Sequence, residues 1–257
     1  MTKIIAVVNQ KGGVGKTTTT LNLATALSTV GKKILVVDFD PQGNASTGLG
    51  VMDKKKIIGS YETLIGEVDP ERAYQETSIP NLYLMPASLH LSGAELELVD
   101  IKGREKLLVK VFEKIRSFDF IFIDCPPSLG LLTLNALVAA DQVLIPLQCE
   151  FYALEGLSQV LYTISQVRKN FNPRLQLQGI VLTMFDNRSS LSTQVANDVR
   201  HHLKDKVYET QIPRNIRVAE APSFGKPAII YDFKCQGSQA YLQLAKEILA
   251  QEGKLAA

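Results

Sequence analysis

The sequence contains few cysteines, and their spacing argues against two kinds of stabilising site. Only three of the 257 residues are cysteines, Cys125, Cys149 and Cys235, and no two of them form a C-x-x-C pair. An odd number of widely spaced cysteines suits neither a disulfide framework nor a zinc site. We therefore expect three reduced thiols.

Long apolar segments and targeting signals are also missing. No window reaches the roughly 18 uninterrupted apolar residues that a membrane-spanning helix needs. The N-terminus enters an apolar run without the basic region and cleavage site of a secretory signal. These features predict a cytoplasmic protein without stable membrane association. A hydrophobic content of 46% supports one large core, so we expect residues 1–257 to form a single domain.

The net charge is small, but the two halves of the chain differ. Residues 1–150 carry 15 Lys+Arg against 17 Asp+Glu, whereas residues 151–257 carry 13 against 9. The candidate polyanion-binding residues of the second half are Arg188, Arg200, Lys204, Lys206, Arg214 and Arg217. No zinc-finger pattern, helix-turn-helix signature or aromatic series accompanies them. They suit phosphate contacts without base readout, hence nonspecific DNA binding, although each taken singly is more often a solvated charge.

The most informative segment runs from Lys11 to Thr18 and reads Lys-Gly-Gly-Val-Gly-Lys-Thr-Thr. It lies between an apolar run at 4–8 and a helical pattern at 21–27. A strand, a glycine loop and a helix in that order form a phosphate cradle. Lys16 can reach the terminal phosphates, and the Thr17 hydroxyl can bind the accompanying Mg²⁺. The predicted nucleotide-binding loop residues are Lys11, Gly12, Gly13, Val14, Gly15, Lys16, Thr17 and Thr18.

This loop departs from the usual spacing G-x-x-x-x-G-K-[ST]. Gln10 stands where the first glycine belongs, and Lys11 adds a second cation. Because Lys16 already serves the bound phosphates, Lys11 can swing away and neutralise charge on a nucleotide bound by another subunit. The alternative is a solvated lysine on a glycine turn.

Apolar runs alternate with helical patterns along the rest of the chain. We predict strands at 4–8, 33–38, 81–86, 120–124, 141–146, 177–183 and 207–211, and helices at 21–27, 103–118, 154–171, 192–203 and 239–249. Segment 51–80, with a basic run at 54–56, predicts short helices and surface loops. The alternation predicts a single-domain α/β fold with a mostly parallel sheet, helices on both faces and ligands beyond the strands' carboxyl ends.

The final predicted helix carries an apolar stripe formed by Tyr241, Leu244, Ala245, Ile248 and Leu249. A membrane-targeting helix would oppose such a stripe with a lysine-rich face. Lys246 and Lys254 are the only basic residues there. We therefore expect this helix to dock on the sheet.

Three carboxylates follow predicted strands. Asp124 ends the apolar run 120–124, as a Walker B aspartate holding Mg²⁺ through water does, with Thr17 as the direct ligand. Asp38 could support the metal shell, or it could cap a helix or anchor a loop. Asp40 lies two residues further on and can approach the γ-phosphate. Hydrolysis requires a water molecule that attacks this phosphate. A carboxylate with a pKa of about 3.9 cannot ionise water with a pKa of about 15.7 in advance, so Asp40 would orient the attacking water rather than deprotonate it.

The loop 11–17 resembles the deviant Walker A loop of the ParA/MinD ATPases. Further segments of the sequence resemble the chromosomal ParA branch of that family, and together they span nearly the whole chain. Its segments are 9–19, 38–44, 124–128, 148–156 and 212–215.

The resemblance assigns several site residues. It implies catalytic roles for Lys11, Lys16 and Asp40, with Asp40 positioning the attacking water. Pro213 and Asn215 should flank adenine, and Arg188 and Arg217 match arginines that contact DNA. The guanine-reading N-K-x-D signature is absent at 183–186, which favours ATP.

The resemblance also implies a function. We expect an ATPase that forms an ATP-dependent homodimer, binds double-stranded DNA nonspecifically and acts in chromosome or plasmid partitioning on the nucleoid. Hydrolysis would be slow until a ParB-type activator stimulates it and releases the dimer. The alternatives are a MinD-like membrane-associated ATPase and a metabolic or electron-transfer member of the same fold.

Overall fold

A computed structural model describes residues 2–51 and 57–255. Strands and helices alternate through most of this length. Their bounds are β1 Lys3–Val7, α1 Lys16–Thr29, β2 Ile34–Asp38, α2 Asn44–Gly48, α3 Ser60–Leu64, β3 Gln75–Glu76, β4 Leu82–Met85, α4 Ala94–Glu97, α5 Leu107–Lys114, β5 Phe120–Asp124, α6 Leu131–Ala139, β6 Gln142–Gln148, α7 Ala153–Asn170, β7 Gln176–Phe185, α8 Ser190–Leu203, β8 Val207–Pro213, α9 Ile216–Glu220, α10 Ala228–Tyr231 and α11 Gln236–Leu255.

The strands form one eight-stranded sheet in the order β3-β4-β2-β5-β1-β6-β7-β8. All neighbouring pairs are parallel except β3 with β4. The register pairs Val7 with Asp124, and Asp38 also with Asp124, so the strand ends that carry the predicted acids are adjacent. The predicted α/β fold with a mostly parallel sheet is confirmed.

Helices cover both faces of the sheet, and residues of one strand alternate between the two layers. On β1, Ala6 packs in the layer that contains α5, α6, α7 and α8. Its neighbours Ile5 and Val7 pack in the layer of α1 and α11. All three are fully buried. Central strands that are buried on both sides explain why β1, β2 and β5 are continuously apolar.

Helix α11 docks on the sheet as predicted. Its Tyr241, Leu244 and Ile248 side chains are buried in the layer shared with α1. The Tyr241 hydroxyl lies 3.2 Å from the Thr19 hydroxyl of α1. Among the described helices, none combines the length and apolar character needed to cross a bilayer.

The structure differs from the predicted elements in several places. The helix predicted at 103–118 is shorter, because a 3₁₀ turn precedes α5 and Ile115 is already extended. Helix α6 was not predicted, and neither were the two-residue strand β3 and the short helices α2, α4, α9 and α10. The remaining part of segment 51–80 forms short helices and turns, while its basic run at 54–56 lies outside the described residues.

Candidate functional site

The glycine loop turns sharply between β1 and α1. Gly13 and Gly15 have φ angles of +75° and +87°, in the left-handed region that favours glycine. A Cβ atom at Gly12 or Gly13 would meet no protein atom within 4 Å, so the backbone there faces open space. Helix α1 begins at Lys16, directly after Gly15. The loop therefore presents backbone and a helix N-terminus to a cleft, which is the arrangement that binds phosphate.

Two buried side chains hold the loop in place. Asn9 donates from Nδ2 to the Pro146 carbonyl at 2.8 Å and accepts from the Lys11 N–H at 3.0 Å. Thr183 at the end of β7 donates to the Val14 carbonyl at 2.8 Å. These bonds tie the loop to β6 and β7, so its shape is set by the sheet.

Lys16 lies along the inside of the loop. Its Nζ donates to the Lys11 carbonyl at 2.9 Å, and only 7% of the residue is exposed. Burial lowers the pKa of Lys16, while the nearby Asp124 carboxylate opposes that shift. An anion in the cleft would favour the charged ammonium in the same way.

Asp124 accepts hydrogen bonds from the first turns of α1. The Thr17 hydroxyl donates to Oδ2 at 2.7 Å, and the Thr20 hydroxyl donates to Oδ1 at 3.3 Å. Burial raises the pKa of Asp124 to about 8, and the neighbouring Asp38 carboxylate adds to the shift. The predicted pair of Thr17 and Asp124 is therefore in direct contact, in surroundings that a cation would stabilise.

Asp38 serves as a loop anchor in this structure. Its Oδ2 accepts from the Ser46 backbone N–H at 2.7 Å and from the Ser46 hydroxyl at 2.6 Å. Burial raises its pKa to about 6, although the bonds from Ser46 oppose the shift. Asp38 thus fixes α2 and the loop that carries Asp40.

Asp40 is 6% exposed and lines a cleft of about 580 Å³ together with the glycine loop. Its Oδ1 accepts from the Gln42 N–H at 3.0 Å. That bond fixes the carboxylate in the loop after β2, so this loop and the glycine loop both contribute to the lining of the cleft.

The base-flanking residues predicted by resemblance line the same cleft. Pro213 ends β8, and Asn215 caps α9 by accepting from the Val218 N–H at 3.2 Å. The Arg214 N–H donates to the Phe185 carbonyl at 3.1 Å, which ties this segment to β7. The cleft therefore joins the glycine loop to the segment after β8.

Lys11 points away from this cleft. Its backbone is fixed by Asn9 and Lys16, yet its side chain forms an ion pair with Glu150, in the turn between β6 and α7. Phe151 and Tyr152 follow Glu150 and are 75% and 65% exposed, with ring centroids 5.0 Å apart. The ion pair thus places Lys11 next to the segment that carries this exposed aromatic pair, on the outer surface of the molecule.

The six basic candidates of the second half do not form one surface. Arg188, Arg214 and Arg217 follow β7 and β8, whose ends pair Phe185 with Pro213. Arg200 lies in the last turn of α8, and its Nη2 donates to the Glu209 carbonyl at 3.3 Å, near the start of β8. Lys204 and Lys206 lie between α8 and β8. The structure thus separates three cations at the carboxyl edge from three at the opposite edge.

Several site residues were not identified from the sequence. Asn9 and Glu150 stand inside motifs that carried the family resemblance, which was the available signal. Thr183 ends an apolar strand without a recognisable motif, and only the fold shows that it meets the glycine loop. Within the described ranges, no three His, Cys, Asp or Glu side chains converge as a metal cluster. A metal here would therefore depend on few protein ligands.

Comparisons with known proteins agree with this geometry. A family model described as an AAA domain matches residues 2–177. The chromosome partitioning protein ParA of Caulobacter vibrioides is 54% identical over 253 residues, covering 97% of this chain and 95% of that protein. The sporulation initiation inhibitor protein Soj of Bacillus subtilis is 51% identical, covering 97% and 99%.

A solved structure is also similar over nearly the whole chain. It is described as cobyrinic acid a,c-diamide synthase from Mycobacterium smegmatis with bound ADP and magnesium. It is 41% identical, has a TM-score of 0.85, and the match covers 97% of this chain and 94% of that one.

Proposed function

Because this chain belongs to the ParA/MinD family of ATPases, we propose that it is an ATP-dependent dimeric switch in chromosome or plasmid partitioning. ATP joins two protomers, the dimer binds DNA without sequence preference, and a ParB-type partner stimulates hydrolysis and release. The single observation that carries this proposal is the position of Lys11, fixed by its backbone to the nucleotide loop but directed out of its own cleft.

ATP and Mg²⁺ fit the residues of the cleft. The loop 11–18 would hold the phosphates, with Lys16 beside the terminal ones. The base would lie between Pro213 and Asn215, where the Asn215 oxygen already caps α9 and its amide nitrogen remains to contact adenine. Mg²⁺ usually binds through one or two protein oxygens, phosphates and water. Thr17 and Asp124 supply such oxygens, and Asp38 holds the neighbouring loop in place.

Hydrolysis would depend on alignment and charge neutralisation. Mg²⁺ supplies charge neutralisation on the phosphates when bound. Asp40 orients the attacking water, because its carboxylate is held in the cleft by the Gln42 N–H. Lys16 neutralises the phosphates from its own loop. Lys11 does not line the cleft of its own protomer, so the site lacks one cation until a second protomer supplies it. A single protomer would therefore turn over slowly.

The surface around Lys11 suits a second copy of this chain. Exposed aromatic side chains are enriched in protein interfaces because they bury much area with few rotatable bonds. Phe151 and Tyr152 are such a pair, and they adjoin the only acid that contacts Lys11 among the described residues. Closing two copies over these residues would bring each Lys11 towards the partner's nucleotide.

The DNA surface that we propose is the carboxyl edge beside the cleft. Arg188 and Arg217 are exposed there, and Arg214 stands between them in the chain. A dimer presents both sets of arginines on one rigid body, so its affinity gains from effective concentration as well as from doubled contacts. Nucleotide state would thereby control DNA binding without base-specific contacts.

Two alternative functions can each be tested by a simple measurement. A MinD-like membrane ATPase would co-sediment with liposomes in ATP, but the apolar stripe of α11 is buried on the sheet. An electron-transfer protein would contain iron, yet Cys125 and Cys149 are buried free thiols. The Mycobacterium smegmatis structure carries the name of a metabolic enzyme, an amide synthase. The sequence identity of this chain is nevertheless higher to the partitioning protein of Caulobacter vibrioides, at 54% against 41%.

Light scattering with ATP tests the role of Lys11. We expect Lys11→Ala to bind ATP, because Lys16 and the loop N–H groups remain, and to stay monomeric. Glu150→Gln is the matched control, since it removes the same ion pair but keeps the lysine. We expect that variant to dimerise with ATP at least as well as the wild type.

The outcomes separate the possible explanations. An ATP-dependent dimer of Lys11→Ala in wild-type yield would rule out the second-lysine argument. A loss of the dimer in both variants would mean that the ion pair itself supports the fold of this surface.

A further inference from the structure

The arginine assigned to DNA after β7 is already bound by an acid of the same protomer. The Arg188 Nε donates to Asp186 Oδ1 at 3.0 Å, and its Nη2 donates to Oδ2 at 2.9 Å. This is a two-bond fork, the geometry in which a guanidinium also binds phosphate. The Arg188 side chain is 90% exposed, so the fork stands in solvent on the outer surface.

Asp186 is held ready for this contact by its own turn. Its Oδ1 also accepts from the Arg188 backbone N–H at 3.0 Å, and its carbonyl accepts from the Ser189 N–H at 3.0 Å. An aspartate that bonds the backbone two residues on forms a local turn and loses little further freedom when it pairs. The hydrogen bonds from Arg188 hold the pKa of Asp186 at about 2, so the carboxylate stays charged near neutral pH.

The second DNA arginine has a similar arrangement. The Arg217 Nη1 donates to Glu220 at 2.7 Å, and its Nε lies 3.5 Å from Asp232. Both arginines that the proposed function places on DNA are therefore paired internally. A DNA phosphate must compete with these carboxylates for the same donors.

We infer that Asp186 lowers the DNA affinity of this protein by occupying the edge of Arg188 that a DNA phosphate would take. This inference rests on the proposed function, because it requires Arg188 to contact DNA. The Asp186 carboxylate uses two of the five guanidinium donors and repels an approaching phosphate. Each protomer then binds DNA less tightly than it would with an unpaired Arg188.

The position of the fork relates it to the nucleotide cleft. Thr183 and Met184 line the cleft and directly precede Phe185 and Asp186. Phe185 accepts from the Arg214 N–H of the base-flanking segment. Asp186 therefore follows a stretch of backbone that is bonded both to the glycine loop, through Thr183, and to the base-flanking segment, through Phe185.

Salt titration of DNA affinity tests the inference. Binding of the full-length protein to two unrelated duplexes would be measured by fluorescence anisotropy with ATP and without nucleotide. Asp186→Asn keeps an oxygen for the turn but removes the charge. We expect its affinity to rise by up to about fivefold per protomer, the range of an exposed ion pair. The log–log salt slope should steepen by up to about 0.9 per protomer.

Two further variants make the result specific. Asp198→Asn removes the same charge from α8, where the carboxylate forms no ion pair among the described residues, and should change affinity less. In an Arg188→Ala background, Asp186→Asn should lose most of its effect. The gain should appear equally on both duplexes, because phosphate contacts carry no sequence information.

The same measurements distinguish a failure of the proposed DNA surface from a failure of the inference about Asp186. If the wild type binds no DNA with ATP, or if Arg188→Ala binds as the wild type does, the proposed DNA surface fails and the inference with it. If Arg188→Ala weakens binding but Asp186→Asn does not strengthen it, the inference alone is overturned. An equal gain from Asp198→Asn, or an undiminished gain without Arg188, also overturns it.

Discussion

At the scale of single residues, the two lysines of the glycine loop do different work. Lys16 lies along the loop and bonds the Lys11 carbonyl, whereas the Lys11 side chain leaves the loop for Glu150. The same loop therefore offers one cation to its own cleft and one to the outside. Sequence spacing predicted the second cation, but its resting partner is visible only in the fold, because Glu150 is far from Lys11 in the chain.

Asp40 is the residue whose removal should separate binding from turnover. We expect Asp40→Ala to keep nucleotide binding and the ATP-dependent dimer, since it removes no phosphate ligand. Its activator-stimulated ATPase rate should fall by about 10²-fold or more, because the attacking water loses its orienting group. The measurement is phosphate release with DNA and the activating partner.

Asp40→Asn is the control for loop geometry. It can still accept from the Gln42 N–H and so preserves the turn. Both variants should form dimers that persist longer on DNA. A stimulated rate equal to the wild type in either variant would assign Asp40 another role.

At the scale of elements, the strands were more predictable than the helices. Strands β1, β2 and β5 are buried on both faces, so each is a continuous apolar run that ends near a polar motif. Helix α6 was missed because Leu131–Ala139 is almost uniformly apolar and shows no one-sided stripe. Helix α5 was overextended, because Ile115 and Phe118 are also buried although the helix ends at Lys114.

Helix α11 contributes to the core and should be tested as such. Leu244 is fully buried between α11 and the sheet. We expect Leu244→Ala to lower the free energy of unfolding by about 2–5 kcal/mol, measured by urea denaturation. Lys246→Ala, at an exposed position of the same helix, should change it by no more than about 0.5 kcal/mol. Unchanged stability of Leu244→Ala, with altered liposome binding, would instead favour a membrane-targeting helix.

At the scale of the whole molecule, the carboxyl edge of the sheet brings distant segments together. The glycine loop, the Asp40 loop, Asp124 and the segment after β8 meet there. The alternation of strands and helices in the sequence predicted this meeting, since ligands of parallel sheets bind beyond the carboxyl ends of the strands. The sequence did not predict that Arg200, Lys204 and Lys206 would lie at the opposite edge of the sheet. Charge counts along a chain do not show that α8 runs back across the sheet and carries its last residues to that edge.

The surfaces proposed for a partner protomer and for DNA share one electrostatic feature. Lys11, Arg188 and Arg217 are each paired with a carboxylate of the same protomer. Assembly would exchange these internal pairs for phosphates of nucleotide or DNA. A protein built in this way should respond to ATP as a whole, through dimer formation and DNA retention together.

Retention of the wild-type protein on nonspecific DNA, measured with ATP, with ADP and without nucleotide, tests this account most directly. Each sample is passed over immobilised duplex at moderate salt. Light scattering of the same sample in solution gives the mass of the protein in that nucleotide state. The account predicts strong retention and a dimer with ATP, and a weakly retained monomer in the other two states. Equal retention in all three states, or strong retention of a monomer, would contradict it.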